Sequence, residues 1–268
     1  MTISTDTDRA VAPALRALLS GFLDYAGIYP PAKLPLEQAV QNYCRYKTDG
    51  HAWMLRWFVL GAADCAKVSS KMDGALSVIG EADESRAATM ESTSLLDSPR
   101  PVYCEVALTD LEQLEKVKAS GNYAKIRTGG LKAEAIPSPS QVAAFIKACA
   151  KLNLPFKATA GLHHPIRAEQ PLTYEANPPR AVLHGFINVL MAACFAYHGE
   201  ENIEDSKYIE EILTETDART FKFDSHAHYK DRSLTISQVE EARKNFIHSV
   251  GSCSFEEPVE DLKALGLL

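Results

Sequence analysis

The chain has 268 residues, of which 46% are hydrophobic, 24% charged and 8% aromatic. That composition excludes a disordered chain, a collagen-like repeat and a disulfide miniprotein. A formal net charge of −7 argues against nonspecific nucleic-acid binding, which needs a basic surface.

In chain order, apolar runs and helical stretches alternate. A helix is expected over 8–19 and a strand over 20–25, which ends in a Gly/Pro-rich loop. A helix over 37–47, a strand over 53–60, a helix over 62–71 and a strand over 75–80 follow. The next expectations are a helix over 83–93 and a strand over 101–108, after which Thr109 is placed to cap a helix. A strand over 123–130, a helix opened by Ser138-Pro139-Ser140 and a strand over 155–161 continue the pattern. The rhythm then changes to a long loop over 162–180, an apolar helix over 181–197 and an amphipathic helix over 203–214. A seventh strand over 220–225, a helix over 235–247, an eighth strand in 248–255 and a closing helix over 256–265 complete the chain.

Alternating β and α units imply a parallel sheet covered by helices. About eight such units imply a single (β/α)8 TIM-type barrel domain over residues 1–268, with an extra N-terminal helix and an inserted loop/helix segment after strand six. An open doubly wound sheet is the runner-up, weakened by the lack of a Gly-rich dinucleotide fingerprint after the first strand. The six cysteines contain no CxxC pair, which disfavours structural zinc and suits reduced, buried thiols. The N-terminus is unlike a signal peptide, and no apolar run reaches the ~20 residues of a membrane span. A cytoplasmic protein without membrane or nucleic-acid partners is expected, with a homo-oligomer left open because helix 181–197 can bury against another subunit or against the barrel.

Function in parallel α/β folds sits at the C-terminal strand ends. Those ends carry Asp24 and Tyr25, Arg56, Glu105, Lys125 and Arg127, Lys157 with His163 and His164 just beyond, and Gly251, Ser252 and Ser254. Strand periodicity puts Lys125 and Arg127 on one face, and Lys157 and Thr159 on one face. If those faces point inward, two lysines converge beside Glu105. A lysine near another cation in a desolvated pocket loses its proton more easily, and its neutral amine can then form a Schiff base with a carbonyl. Lys125 is the expected nucleophile, Lys157 its partner and Glu105 the acid/base. Arg56 and Arg127 are expected to hold the carboxylate or phosphate of a small anionic substrate, and Asp24, Tyr25, His163, His164, Gly251, Ser252 and Ser254 to line its site. No cofactor and no metal are required.

The stretches Lys125-Ile-Arg-Thr-Gly129 and Lys157-Ala-Thr-Ala-Gly161 resemble the K-T-S-T-G and K-A-S-G-G strand-end motifs of the deoxyribose-phosphate aldolase family. Gly251-Ser-Cys-Ser254 resembles that family's phosphate-binding turn after the last strand. The resemblance implies a metal-free (β/α)8 barrel that makes or breaks a C–C bond, with Lys125 as nucleophile. The strand count made here puts the lysines on strands five and six, where that family has them on six and seven. The signatures LDYAGIYPPA, KATAGLHHP and GSCSFEEPVEDL are also similar to those of an uncharacterised bacterial family, which carries no activity to transfer.

A second reading is a metal-dependent hydrolase or lyase. His163, His164 and the His226-Ala-His228 pair follow strands, with Asp24, Glu105 and Asp224 as possible carboxylate ligands. A third is a non-catalytic small-ligand-binding barrel. Cys253, before a helix start, and the pair His184 and Asn188 on one helix face are further polar features.

Overall fold

The computed structural model describes residues 11–81, 84–199 and 206–268. Its centre is a closed barrel of eight parallel strands. Seven follow one another round the wall: β1 (Leu23–Tyr25), β2 (Leu55–Gly61), β3 (Leu76–Ile79), β4 (Ala87–Ser92), β5 (Val102–Glu105), β6 (Tyr123–Arg127) and β7 (Phe156–Thr159). The chain then leaves the barrel. It forms a hairpin, β8 (Ala168–Pro171) with β9 (Arg180–Leu183), and later a three-stranded antiparallel sheet of β10 (Phe221–Phe223), β11 (His226–Tyr229) and β12 (Arg232–Thr235). β13 (Ile247–Ser252) returns between β7 and β1 and closes the barrel. The fold class expected from the sequence is therefore present.

Helices cover the outer wall: α1 (Pro13–Leu19), α2 (Leu36–Tyr46), α3 (Gln113–Ala119), α4 (Pro139–Lys151), α5 (Phe186–Tyr197), α6 (Ser206–Thr214), α7 (Ile236–Asn245) and α8 (Glu256–Ala264). α4 starts with a capping box, in which the Ser138 hydroxyl accepts from the Gln141 amide and the Gln141 side chain accepts from the Ser138 amide. α5 is apolar on all sides because it packs against α4, α6, α7 and β13 at once. No helix among the described residues is long and apolar enough to cross a membrane.

Several expectations need correction. The segment 83–93, read as a helix, contains barrel strand β4. Ala87, Thr89, Met90 and Glu91 are all buried there, so its polar residues face the barrel interior rather than solvent. The segment 220–225 does not supply the seventh barrel strand; its β10 belongs to the outer sheet. With β4 gained and β10 removed, the total stays at eight but Lys125 and Lys157 move to strands six and seven. The insertion accordingly follows the seventh strand. Helix 62–71 is a pair of 3-10 segments, Ala62–Lys67 and Ser70–Met72. Thr109 caps nothing, since α3 begins after Glu112 and has no side-chain cap. The long loop contains β8, and the apolar helix starts only at Phe186 because 180–183 pairs with it. The first residues of the expected helices at 8–19 and 203–214 lie outside the described residues. Cys44 is exposed, whereas the other five cysteines are buried.

Candidate active site

Inward-facing residues of β1, β4, β5, β6 and β7 build a charged floor. Lys157 Nζ lies 2.5 Å from Asp24 Oδ2 and 2.7 Å from Glu91 Oε1. Lys125 Nζ lies 3.1 Å from Glu91 Oε2 and 3.0 Å from Glu105 Oε2. Glu91 thus holds one lysine with each oxygen. Arg127 donates from Nε and Nη2 to the two oxygens of Glu105, at 3.2 and 3.3 Å. Remaining acceptor sites are filled by hydroxyls and one amide: Ser77 donates to Glu91 at 2.7 Å, Ser249 to Asp24 Oδ2 at 2.7 Å, and the Trp57 amide to Asp24 Oδ1 at 3.3 Å. Buried ions persist only when paired and hydrogen-bonded in this way.

The electrostatics follow from that pairing. Burial favours the neutral acid of Glu91, but Lys157 and Lys125 outweigh it and bring its pKa down to about 2. Burial favours the neutral amine of Lys157, but Asp24 and Glu91 outweigh it and raise its pKa above the ordinary lysine value. Glu105 is lowered, because Lys125 and Arg127 overcome its partial burial. The floor therefore pairs each lysine with two carboxylates. The two lysines are cross-strand neighbours on β6 and β7, but each faces two carboxylates and Glu91 is shared between them.

Glycines let the strand-end turns above this floor meet. A Cβ on Gly129 would stand 2.8 Å from Gly161 Cα, and Gly161 has φ +74°. Thr128, buried between these turns, donates through Oγ1 to the Ala160 carbonyl at 2.7 Å. The motifs ending in Gly129 and Gly161 are thus two turns in contact. On the other side of β7, a Cβ on Gly251 would meet Thr159 Oγ1 at 2.8 Å.

A second polar cluster stands at the end of β13. His163 Nδ1 lies 3.1 Å from Ser252 Oγ, 3.2 Å from Glu257 Oε2 and 3.8 Å from Cys253 Sγ. Tyr174, from the loop between β8 and β9, donates to Glu257 Oε1 at 2.8 Å. Burial alone would lower His163, but Cys253 and Glu257 outweigh it and raise its pKa to about 10.

Both clusters border one cavity of about 570 Å3. Of the residues singled out from sequence, Lys125, Lys157, Glu105, Arg127, His163, Gly251 and Ser252 line it. The others are placed elsewhere. Asp24 lies behind Lys157 as its counter-ion. Tyr25 points outward, 1% exposed, against Tyr46 and Phe58. Arg56 sits near the N-terminal end of β2, stacks on Trp57 and donates to the His248 carbonyl, so it does not reach the cavity. His164 pairs with Asp261 of α8 at 2.6 Å. The Ser254 hydroxyl accepts from the Glu257 amide at the start of α8. His184 and Asn188 are structural, with Asn188 tying Arg167 to the end of α6 through Ile212 and Glu215.

Sequence reasoning missed Glu91, the centre of the floor, because its strand was read as a helix. The signal was present in Ala87 to Ser92, where apolar and polar residues alternate at Ala88, Thr89, Met90 and Glu91.

Among the described residues, neither His163 nor His164 belongs to a group of three metal-ligating side chains whose donor atoms all lie within 4.8 Å of one another. The one such group found there is Asp224, His226 and His228, whose donor atoms lie within 4.8 Å of one another on the outer sheet. None of the three lines the cavity. Comparison of the chain with protein families, curated proteins and solved structures gives no match.

Proposed function

We propose that the protein is a Schiff-base lyase of aldolase type, with Lys125 as its nucleophile. The observation that carries this reading is the position of Lys125 midway along β6, lining the cavity and between the carboxylates of Glu91 and Glu105. Its neighbour on β7, Lys157, is paired by Asp24 and Glu91 and keeps the floor electrically balanced when a substrate enters. The corrected strand count favours the aldolase likeness, since both lysines now fall on strands six and seven.

In this mechanism Glu105 accepts a proton from the Lys125 ammonium. The amine lone pair then attacks the substrate carbonyl carbon, and the carbonyl oxygen takes one proton from that nitrogen and one back from Glu105 and leaves as water. The resulting iminium keeps one positive charge at the Lys125 nitrogen, so Glu91 and Glu105 stabilise it as they stabilised the ammonium. The β-hydroxyl of the adduct gives its proton to a carboxylate of the floor and becomes a carbonyl, while the electrons of the bond between the α and β carbons move towards the nitrogen and form the enamine; the α carbon then takes up that proton to restore the iminium, and the reverse sequence forms the bond. Water releases the product and restores the amine.

The test is borohydride reduction of the protein with acetaldehyde. The expected result is a mass increase of one reduced adduct, mapped to Lys125 and lost in Lys125→Arg. A mass increase confined to surface lysines overturns the proposal.

A further inference from the structure

The cavity is built for more than a reactive head group. Its floor is charged, but much of its wall is apolar. Tyr29, Pro30 and Ile79 form one side, and Leu131, Leu172 and Leu183 the other. Leu172 and Leu183 flank the outer hairpin and are each 4% exposed, whereas Leu131 at the mouth is 38% exposed. The hairpin wall is pinned to α8 by the bond from Tyr174 to Glu257.

Charge balance points the same way. Every cationic side chain lining the cavity among the described residues already faces a carboxylate: Lys157 faces Asp24 and Glu91, Lys125 faces Glu91 and Glu105, Arg127 faces Glu105, and His163 faces Glu257. The four cations face four carboxylates, Asp24, Glu91, Glu105 and Glu257, so the site offers an entering phosphate or carboxylate no net positive charge and only cations that are already engaged. An uncharged group displaces nothing and gains by covering Leu131, Leu172 and Leu183. The volume, about 570 Å3, also lies in the range of about 300–1,000 Å3 that houses drug-sized ligands.

We infer that the substrate is an uncharged aldehyde or ketone with an apolar tail, bound with its carbonyl at Lys125 and its tail between Leu131, Leu172 and Leu183. This inference rests on the Schiff-base reading and replaces the small anionic substrate that the residue types alone suggest.

The experiment compares 4-methylpentanal with succinic semialdehyde. They share the OHC–CH2–CH2 unit and differ in carrying an isopropyl group or a carboxylate at its end. Each is titrated against the full chain with borohydride, and labelling of Lys125 is followed by mass spectrometry. The expected half-saturating concentration of 4-methylpentanal is at least about tenfold lower. That ratio falls towards one in Leu183→Asp and in the more exposed Leu131→Asp. Tighter labelling by succinic semialdehyde overturns the substrate inference and leaves the lysine chemistry standing. Absence of label from both aldehydes overturns the lysine chemistry. Calorimetry with the unreactive 4-methylpentanamide then decides the tail site separately: binding that is weakened in Leu183→Asp supports it, and no binding overturns it.

Discussion

Glu91 Oε1 lies 2.7 Å from Lys157 Nζ, across the barrel interior from β4 to β7, with both side chains almost completely buried. The other oxygen of the same carboxylate holds Lys125. One side chain from one strand therefore fixes both lysines of the floor, and its removal tests the whole arrangement.

Glu91→Gln keeps the shape but removes the charge that faces two buried ammonium groups. Breaking a buried ion pair on one side costs about 3–5 kcal/mol. A fall of that size in unfolding free energy is expected from urea titration, together with loss of borohydride labelling at Lys125. An unchanged urea midpoint would mean that Asp24 and Glu105 alone compensate both lysines.

Glu105 touches Lys125 but is half-open to the cavity, so its replacement separates chemistry from stability. Glu105→Gln is expected to slow imine formation at Lys125 by about 10²–10⁴-fold. The fold loses little, because Arg127, its other partner, is 54% exposed in its side chain. Stopped-flow rates of adduct formation, read beside a thermal melt, check both halves.

Stability should fall on both sides of neutrality. Glu91, pulled from 4.5 to about 2, stabilises the fold where it is ionised, and that contribution disappears as pH falls through this interval. Burial, reinforced by Arg56 and Arg243, lowers His248 from 6.5 to about 3; burial likewise lowers His184 to about 4. Both bind protons more readily when unfolded, so they add to the loss as pH falls below 6.5. His163 has the opposite sign. Raised from 6.5 to about 10, it stabilises fully below the lower value and loses that contribution as pH rises through the upper one. Urea midpoints measured across pH 3–10 should trace a dome, and His163→Gln should flatten its alkaline limb.

The turn contact above the floor is backbone against backbone. Gly129→Ala forces a methyl group to 2.8 Å from Gly161 Cα, where no flexible side chain can give way. Overpacking of this kind costs about 1–3 kcal/mol. The shift it imposes on the end of β6 should also weaken labelling of Lys125 more than Gly121→Ala does, at a turn where a Cβ meets nothing within 4 Å. Equal labelling in the two variants would show that the turns do not position the lysine.

By itself the sequence determined the alternating pattern, the barrel class and the strand ends that bear Lys125, Lys157, Glu105 and Arg127, because these are set by local periodicity and by the short range of turns and caps. The helix start at Ser138-Pro139-Ser140 was readable for the same reason. The alternation in 87–92 marks a strand, but tertiary structure alone decided that this strand buries Glu91 inside the barrel. Glu91 meets Lys125 and Lys157 at separations of 34 and 66 residues, so a run with a charge in it reads locally as solvated. Only closure of the barrel brings the cations that make burying that charge favourable. It also decided which polar residues share a cavity: Tyr25 and Arg56 lie on strands with the right chemistry, but one faces the outer layer and the other sits at the opposite end of the barrel. Direction along and across a strand is fixed by long-range pairing, and a list of residue types does not contain it.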